Sequence, residues 1–276
     1  MEKEQFSTHS ETVKLPSKGL VYNPSLGIGD SIMIKPFSNK DMKGLYASAD
    51  ESGLEVLLEN SINQPHPNWN VDDLIQADRD MLLLRLRSIT LGSLMSYELV
   101  CSACGDSVNY DLNLDSLSVN YLSSEKPYPF HITLPGCKKE ILYRILSYKE
   151  IKGLEKLLEE KAKKFPKFKK KAERVFYNFA KRIAFADGSP SYFQTMYDFY
   201  SDLSAYDASY LIYFDQHINI GPVLKTEFTC SHCGSKQLFE FTLGASFFRP
   251  KFDEPESLGI TTASPFSNND EADDDQ

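Results

Sequence analysis

Two short stretches, Cys101-Ser102-Ala103-Cys104-Gly105 and Cys230-Ser231-His232-Cys233-Gly234, decide how this chain is read. Each is a knuckle offering two thiolates spaced to grip one side of a metal ion. Together they supply the four sulfurs of a closed tetrahedral zinc site. Of the five cysteines in 276 residues only Cys137 is left over, and it reads as a packed or surface thiol. With four thiolates in hand, His232 reads as a solvent-facing neighbour and not a ligand.

The knuckles match well beyond their cysteines. At a constant spacing of 129 residues Asp78 meets Asp207, Leu82 meets Leu211, Ile89 meets Ile218 and Gly92 meets Gly221. Glu98 then meets Glu227 and Leu114 meets Leu243, with no gap from Asp78 to Leu114. Upstream, Leu15-Pro16 is echoed by Leu134-Pro135, and Asp41-Met42-Lys43-Gly44-Leu45 by Glu150-Ile151-Lys152-Gly153-Leu154, at shorter spacings that imply loop insertions. The pattern reads as an internal duplication.

An α+β fold of two related halves is therefore expected. The first half takes residues 1–125 with its knuckle at 101–104. The second takes 126–252, with a basic helical insert and the knuckle at 230–233. An acidic tail, 253–276, carries Asp270, Glu271, Asp273, Asp274 and Asp275 and reads as disordered.

Within the first half, strands are expected at Glu11 to Leu15 and Ser31 to Lys35, around a turn at Ser17-Lys18-Gly19. Ser38 to Asp41 reads as the cap of a short helix through Leu45 and Tyr46. Leu54, Leu57, Leu58 and Ile62 have the period of a buried helical face. Asn70 to Asp73 caps a helical stretch that ends near Gly92. On it, Asp78 and Asp80 precede Arg85 and Arg87, a spacing that predicts ion pairs along the helix. Tyr97 to Val100 and Val108 to Leu112 alternate as strands flanking the knuckle. In the second half, helices are expected at Ser147 to Glu160, Ala172 to Ala186, Phe193 to Leu203 and Ala208 to Phe214.

No uninterrupted apolar run approaches the roughly 20 residues of a membrane helix, and Met1 to Gln5 lacks the pattern of a secretory signal. A cytosolic, reducing setting follows, where Cys-x-x-Cys means metal or redox chemistry and not a disulfide. Three readings of the knuckles stay open. One zinc held by Cys101, Cys104, Cys230 and Cys233 would clasp the halves, metal binding of roughly 10–16 kcal/mol offsetting the loop closure. A redox pair would need one motif at a helix N-terminus, not two between strands. Relic hairpins without metal are the third.

A closed four-sulfur site has no open position for catalysis. His9, His66, His131, His217 and His232 form no close motif, and no phosphate loop or nucleophile elbow is present. No enzyme is read here. A net charge of −9 argues against a chain that coats nucleic acid. The segment Lys161 to Lys171 nevertheless carries seven lysines. It could hold a phosphate backbone with Phe165 and Phe168 stacking on bases. A zinc-ribbon nucleic-acid-binding protein is thus the alternative function.

Leu15-Pro16-Ser17-Lys18-Gly19-Leu20-Val21-Tyr22, Lys40-Asp41 to Leu45, and Asp78-Arg79 to Arg87 before the first knuckle resemble the baseplate hub and hub-assembly proteins of T-even-type contractile-tailed bacteriophages. The likeness covers roughly the first 150 residues and continues less distinctly beyond. It implies a non-enzymatic protein that works in the host cytoplasm during assembly of the tail hub. Such a protein stays in the virion or acts as a chaperone and leaves. Its partners would be other tail or baseplate hub proteins, met through exposed aromatics such as those from Tyr192-Phe193 to Tyr200.

Overall fold

Leu15-Pro16-Ser17 makes a tight turn at the start of the long connection between β1 (Glu11–Lys14) and β2 (Ser31–Ile34), which pair antiparallel from Glu11 opposite Ile34 to Lys14 opposite Ser31. The turn is held from far away in sequence. Ser17 donates its N–H to Asp78 Oδ1 at 2.9 Å and its hydroxyl to Oδ2 at 2.5 Å, and the Tyr22 hydroxyl donates to the same Oδ2. The computed structural model describes residues 10–47, 52–63, 67–125 and 127–249; the expected acidic tail lies outside the described residues.

Ser38 donates its N–H and hydroxyl to Asp41, and the turn runs on into α1 (Lys43–Ala47) and α2 (Ser52–Ser61). Leu54, Leu57 and Leu58 are buried on the predicted face. Asn70 caps a short 3-10 helix, Val71–Asp73, with a reciprocal Asn70–Asp73 box. The long helix does not begin at that cap. Leu74 and Ile75 are extended and buried, and α3 runs from Gln76 to Leu91 up to Gly92.

Helix α3 is the axle of the first half. Met81, Leu82, Leu83, Leu84 and Leu86 are all buried, each contributing about 1.5–3 kcal/mol by removal from water. The expected ion pairs between Asp78 and the two arginines are absent, because Asp78 is turned into the Ser17 loop. Arg85 reaches Glu11 at 2.8 Å and also Asp115, while Arg87 donates to the carbonyls of Phe247 and Gly92. Helical spacing fixes which face a residue takes, but the carbonyls and carboxylates it meets come from elsewhere.

Next come β3 (Leu94–Val100) and β4 (Ser107–Asn113), the first knuckle hairpin, and the two-residue β5 (Val119–Asn120). The second half starts with β6 (Phe130–Thr133) and β7 (Glu140–Tyr143), then α4 (Tyr148–Lys164) and α5 (Lys170–Arg182). The helix expected to run to Ala186 stops at Arg182. Ile183–Phe185 instead forms β8, with Ile183 opposite Tyr143 and Phe185 opposite Ile141. The free edge of β7 satisfies that backbone, a partner no local pattern reports. Helices α6 (Phe193–Ser201) and α7 (Ala205–His217), strand β9 (Gly221–Pro222) and the second knuckle hairpin, β10 (Lys225–Thr229) with β11 (Lys236–Glu240), complete the order.

The two halves repeat the same device. Leu134-Pro135-Gly136-Cys137 turns between β6 and β7, and the buried Asp207 of α7 accepts the N–H of Gly136 at 2.6 Å and of Cys137 at 3.0 Å. Lys18 and Lys138, shortly beyond the prolines of the two turns, both take positive φ, 54° and 61°. Leu15 and Leu134 are fully buried in separate cores.

The halves also interlock. Strand β5 pairs with β9, Ile75 bridges to Ser147, and the Tyr148 N–H donates to Leu74. Lys152 sits between Glu55 and Asp72 at 2.8 and 2.7 Å. Arg79 lies 3.7 Å over the ring of Tyr148. At Gly221, with φ of 113°, a Cβ would come within 3.1 Å of the Ala77 Cβ, so only glycine lets β9 cross α3 this closely. Phe241, Leu243, Phe247 and Phe248, after the second knuckle, complete the first core.

The matched carboxylates titrate in opposite directions. Burial raises Asp78 above the ordinary value despite its hydrogen bonds. Asp207 is also raised by loss of water, but the Gly136 and Cys137 amides and Ser204 pull it below that value. Ionised Asp207 thus adds stability above the unfolded pKa of about 3.9, and this is lost as pH falls through its lower folded value. For Asp78 the contribution is present below about pH 3.9 and is lost as pH rises through its raised value. The cost of Asp207→Asn in urea unfolding is therefore expected to shrink on acidification from pH 6 to 3. The cost of Asp78→Asn should shrink on going the other way.

Candidate metal centre

Each knuckle is shaped by the same two backbone hydrogen bonds. In the first, Cys101 N–H donates to Asp106 at 2.9 Å and Gly105 N–H to Cys101 at 2.8 Å. In the second, Cys230 N–H donates to Ser235 and Gly234 N–H to Cys230, both at 2.9 Å. Gly105 and Gly234 have φ of 81° and 71°, the left-handed turn that glycine takes without strain. Cys101 and Cys230, directly after the first strand of each hairpin, are buried; Cys104 and Cys233, further into the connecting loops, are exposed.

Tertiary structure brings all four sulfurs within 4.8 Å of one another. Cys101 Sγ lies 3.7 Å from Cys233 Sγ, and Cys104 Sγ lies 3.8 Å from Cys230 Sγ. Sulfurs about 2.3 Å from a central zinc would stand about 3.8 Å apart at tetrahedral angles. All five cysteines are free thiols. The donor set thus fits a metal ion, and the four cysteines could hold one. Cys137 takes no part: it is exposed, and its backbone N–H and thiol both turn to Asp207. His232 is exposed at the knuckle tip, outside the cluster.

The contacts between hairpins are reciprocal. Residues 101 and 104 correspond to 230 and 233, and each short sulfur contact joins an inner cysteine of one knuckle to the outer cysteine of the other. Below the sulfurs, Tyr97 packs on Phe239 at 4.7 Å between centroids, and Tyr110 meets Thr226 through hydroxyls 3.1 Å apart. Tyr97 corresponds to Thr226 and Tyr110 to Phe239, so this is one contact made twice with different chemistry.

The reciprocity breaks at Gln237. Its amide N–H donates to Cys101 Sγ at 2.8 Å, and its carbonyl accepts the N–H and hydroxyl of Ser102, both at 3.0 Å. The matching residue of the first hairpin is the buried Val108, which can do neither. Sequence patterns do not single out Gln237. Its one signal is a polar residue replacing an apolar one in an otherwise matched strand.

Without a cation, four crowded thiols cannot all ionise. Cys101 is drawn down to about 6, first by the Cys104 N–H and further by Ala103, the Cys104 thiol and Gln237. Cys104 and Cys233 are pushed up, although the Asp106 and Ser235 amides lower them, because they lose water and sit against other sulfurs. Cys101 is favoured as the thiolate while Cys104 and Cys233 hold their protons, the arrangement that a bound cation would reverse.

The other surfaces expected from sequence fare differently. Phe165 is 58% exposed at the bend between α4 and α5, but Phe168 packs against Tyr177 and the cluster of Leu154 and Leu158. The expected pair of base-stacking rings is therefore reduced to one, because Phe168 faces the helical hairpin's own core. Of the aromatics from Tyr192 to Tyr200, Tyr192 is widely exposed, while Phe193, Tyr197, Phe199 and Tyr200 pack into the second core.

The family model for the T4 bacteriophage base plate protein matches residues 8–249, and the chain belongs to that family. Membership makes it a phage base plate protein. No curated protein and no solved structure matches the chain. No helix among the described residues is long and apolar enough to cross a membrane.

Gln237→Ala leaves the Ser102 N–H and a sulfur without their partner, and should cost about 1 kcal/mol in urea unfolding. Lys236→Ala, next to it on the exposed side, should change stability by less than about 0.5 kcal/mol. Equal effects would show that the Gln237 bridge does not hold the knuckles together.

Proposed function

We propose that this baseplate protein works at the central hub of the tail, as a hub component or hub-assembly chaperone, and that a structural zinc clasps its two halves. Cys101, Cys104, Cys230 and Cys233 hold the ion. The halves, 1–125 and 126–252, derive from an internal duplication. The observation that carries the reading is the reciprocal sulfur geometry between hairpins 129 residues apart, in a chain of the baseplate family.

Support for the duplication comes from three matched devices: the Leu-Pro turns anchored by Asp78 and Asp207, the knuckles, and the two-way hairpin contacts. Zinc is favoured over redox-active metals because four thiolates close a tetrahedron without an open position, and zinc has no redox chemistry of its own. A clasp of this kind fits an assembly part, which needs rigid surfaces and no reaction centre. Its partners are other tail or baseplate hub proteins, met in the host cytoplasm as the hub forms.

Metal analysis of purified protein should find one zinc per chain. Cys101→Ser and Cys230→Ser should each lose the metal and, with it, most of the folded fraction. Metal that survives either substitution would break the inter-half clasp. The hub reading is checked separately, by co-purification with tail proteins from infected cells. Nucleic-acid absorbance that persists through a salt wash would favour the zinc-ribbon nucleic-acid alternative instead.

A further inference from the structure

The bend between α4 and α5 is the most concentrated block of positive charge on the chain. From Lys161 to Lys171 there are seven lysines and no acidic residue. Two are used internally: Lys161 meets the Tyr177 hydroxyl, and Lys170 pairs with Glu155 and Glu159. Arg174 takes Glu155 as well, at 2.7 Å. Lys163, Lys164, Lys167, Lys169 and Lys171 are exposed and have no ion-pair partner among the described residues. Five like charges on one bend repel one another and favour an anionic partner.

The same chain carries the complement. Residues 251–276 hold eight Asp and Glu against one Lys, and so account for seven of the nine excess negative charges of the protein. We propose that this acidic C-terminal segment, centred on Asp270 to Asp275, docks on the lysine-rich bend of its own chain. The proposal is independent of the zinc and of the hub reading.

Reach permits it. The described chain leaves at Arg249, whose guanidinium approaches the Leu45 carbonyl of α1. Helix α1 packs on α2, and Glu55 of α2 pairs with Lys152 in the first turns of α4. The twelve residues from Lys152 to the end of α4 rise about 18 Å. The roughly twenty residues between Arg249 and Asp270 can extend to about 65 Å, more than the roughly 45 Å breadth of a 250-residue fold. An attachment within one chain also benefits from a high effective concentration, so weak charge pairing suffices. Docked there, the tail would screen the bend until a more strongly anionic surface displaced it.

The test is zero-length carbodiimide cross-linking of the full-length protein, read by mass spectrometry on the monomer band. At low salt, links from Asp270, Glu271 or Asp273–275 should fall on Lys163, Lys164, Lys167, Lys169 and Lys171. They should exceed links to the equally exposed Lys14, Lys225 and Lys236 by about five-fold or more, and drop by a similar factor near 0.5 M salt, where screening reaches only a few ångström. Full-length protein with those five carboxylates changed to amides (Asp270→Asn, Glu271→Gln, Asp273→Asn, Asp274→Asn, Asp275→Asn) should lose the links. Links spread evenly over exposed lysines would overturn the proposal and leave the bend open to a polyanion such as nucleic acid. Links confined to a cross-linked dimer would also overturn it, assigning the bend to a second copy.

Discussion

Four sulfurs within 4.8 Å of one another are the tightest constraint where the two knuckle hairpins meet. Thiolates at that distance repel strongly and thiols alone make only weak contacts, so a cation held among them would turn the cluster into an attractive centre. The hairpins that carry it bury one face, through Leu112 and Phe228, and leave much of the other exposed. Leu94, Val100 and Leu238 are about 70% exposed, and the buried part of the contact is a thin layer of Tyr97, Tyr110, Phe228 and Phe239. Below that layer the chain returns to the first core through Phe241, Leu243, Phe247 and Phe248. Whatever fixes the hairpins therefore also fixes where the last core residues enter.

Similar parts do different work in the two halves. Asp78 and Asp207 both hold a Leu-Pro turn, yet Asp78 accepts one backbone amide and two hydroxyls, Ser17 and Tyr22, while Asp207 accepts the two amides of Gly136 and Cys137 and the hydroxyl of its Ser204 cap. Helix α3 is enclosed, and β9 crosses it at Gly221. Helix α7 leaves Tyr206, Ile212 and Tyr213 exposed at positions where α3 presents Ala77, Leu83 and Leu84. The matched helices therefore differ in enclosure, α3 buried along its length and α7 exposed along one side.

Much of the site is legible without the fold. The Cys-x-x-Cys-Gly pattern needs no tertiary information, because a tight turn and two thiolates are properties of five consecutive residues. Helices α2 and α4 announce themselves by apolar period, and the knuckle strands by alternation. Where local pattern misleads, it misleads over partners. Helical spacing pairs Asp78 with arginines on its own helix, whereas Ser17 and Tyr22, over fifty residues away, hold it. Ile183 and Phe185 continue a helical pattern, but β7 offers them a strand to join. Phe168 counts as a free ring in sequence, yet the α4–α5 hairpin folds over it.

The sequence by itself determined the two Cys-x-x-Cys-Gly motifs, the turn chemistry of the knuckles and much of the order of the elements, since each depends on residues within a few positions of one another. Only the tertiary structure decided that inner and outer cysteines of opposite hairpins meet, that Gln237 bridges them, and that β9 lies against α3. Those outcomes depend on which distant surfaces become adjacent. Local periodicity states that a side chain will be buried or a carbonyl satisfied, and is silent on which group, a hundred residues away, will do it.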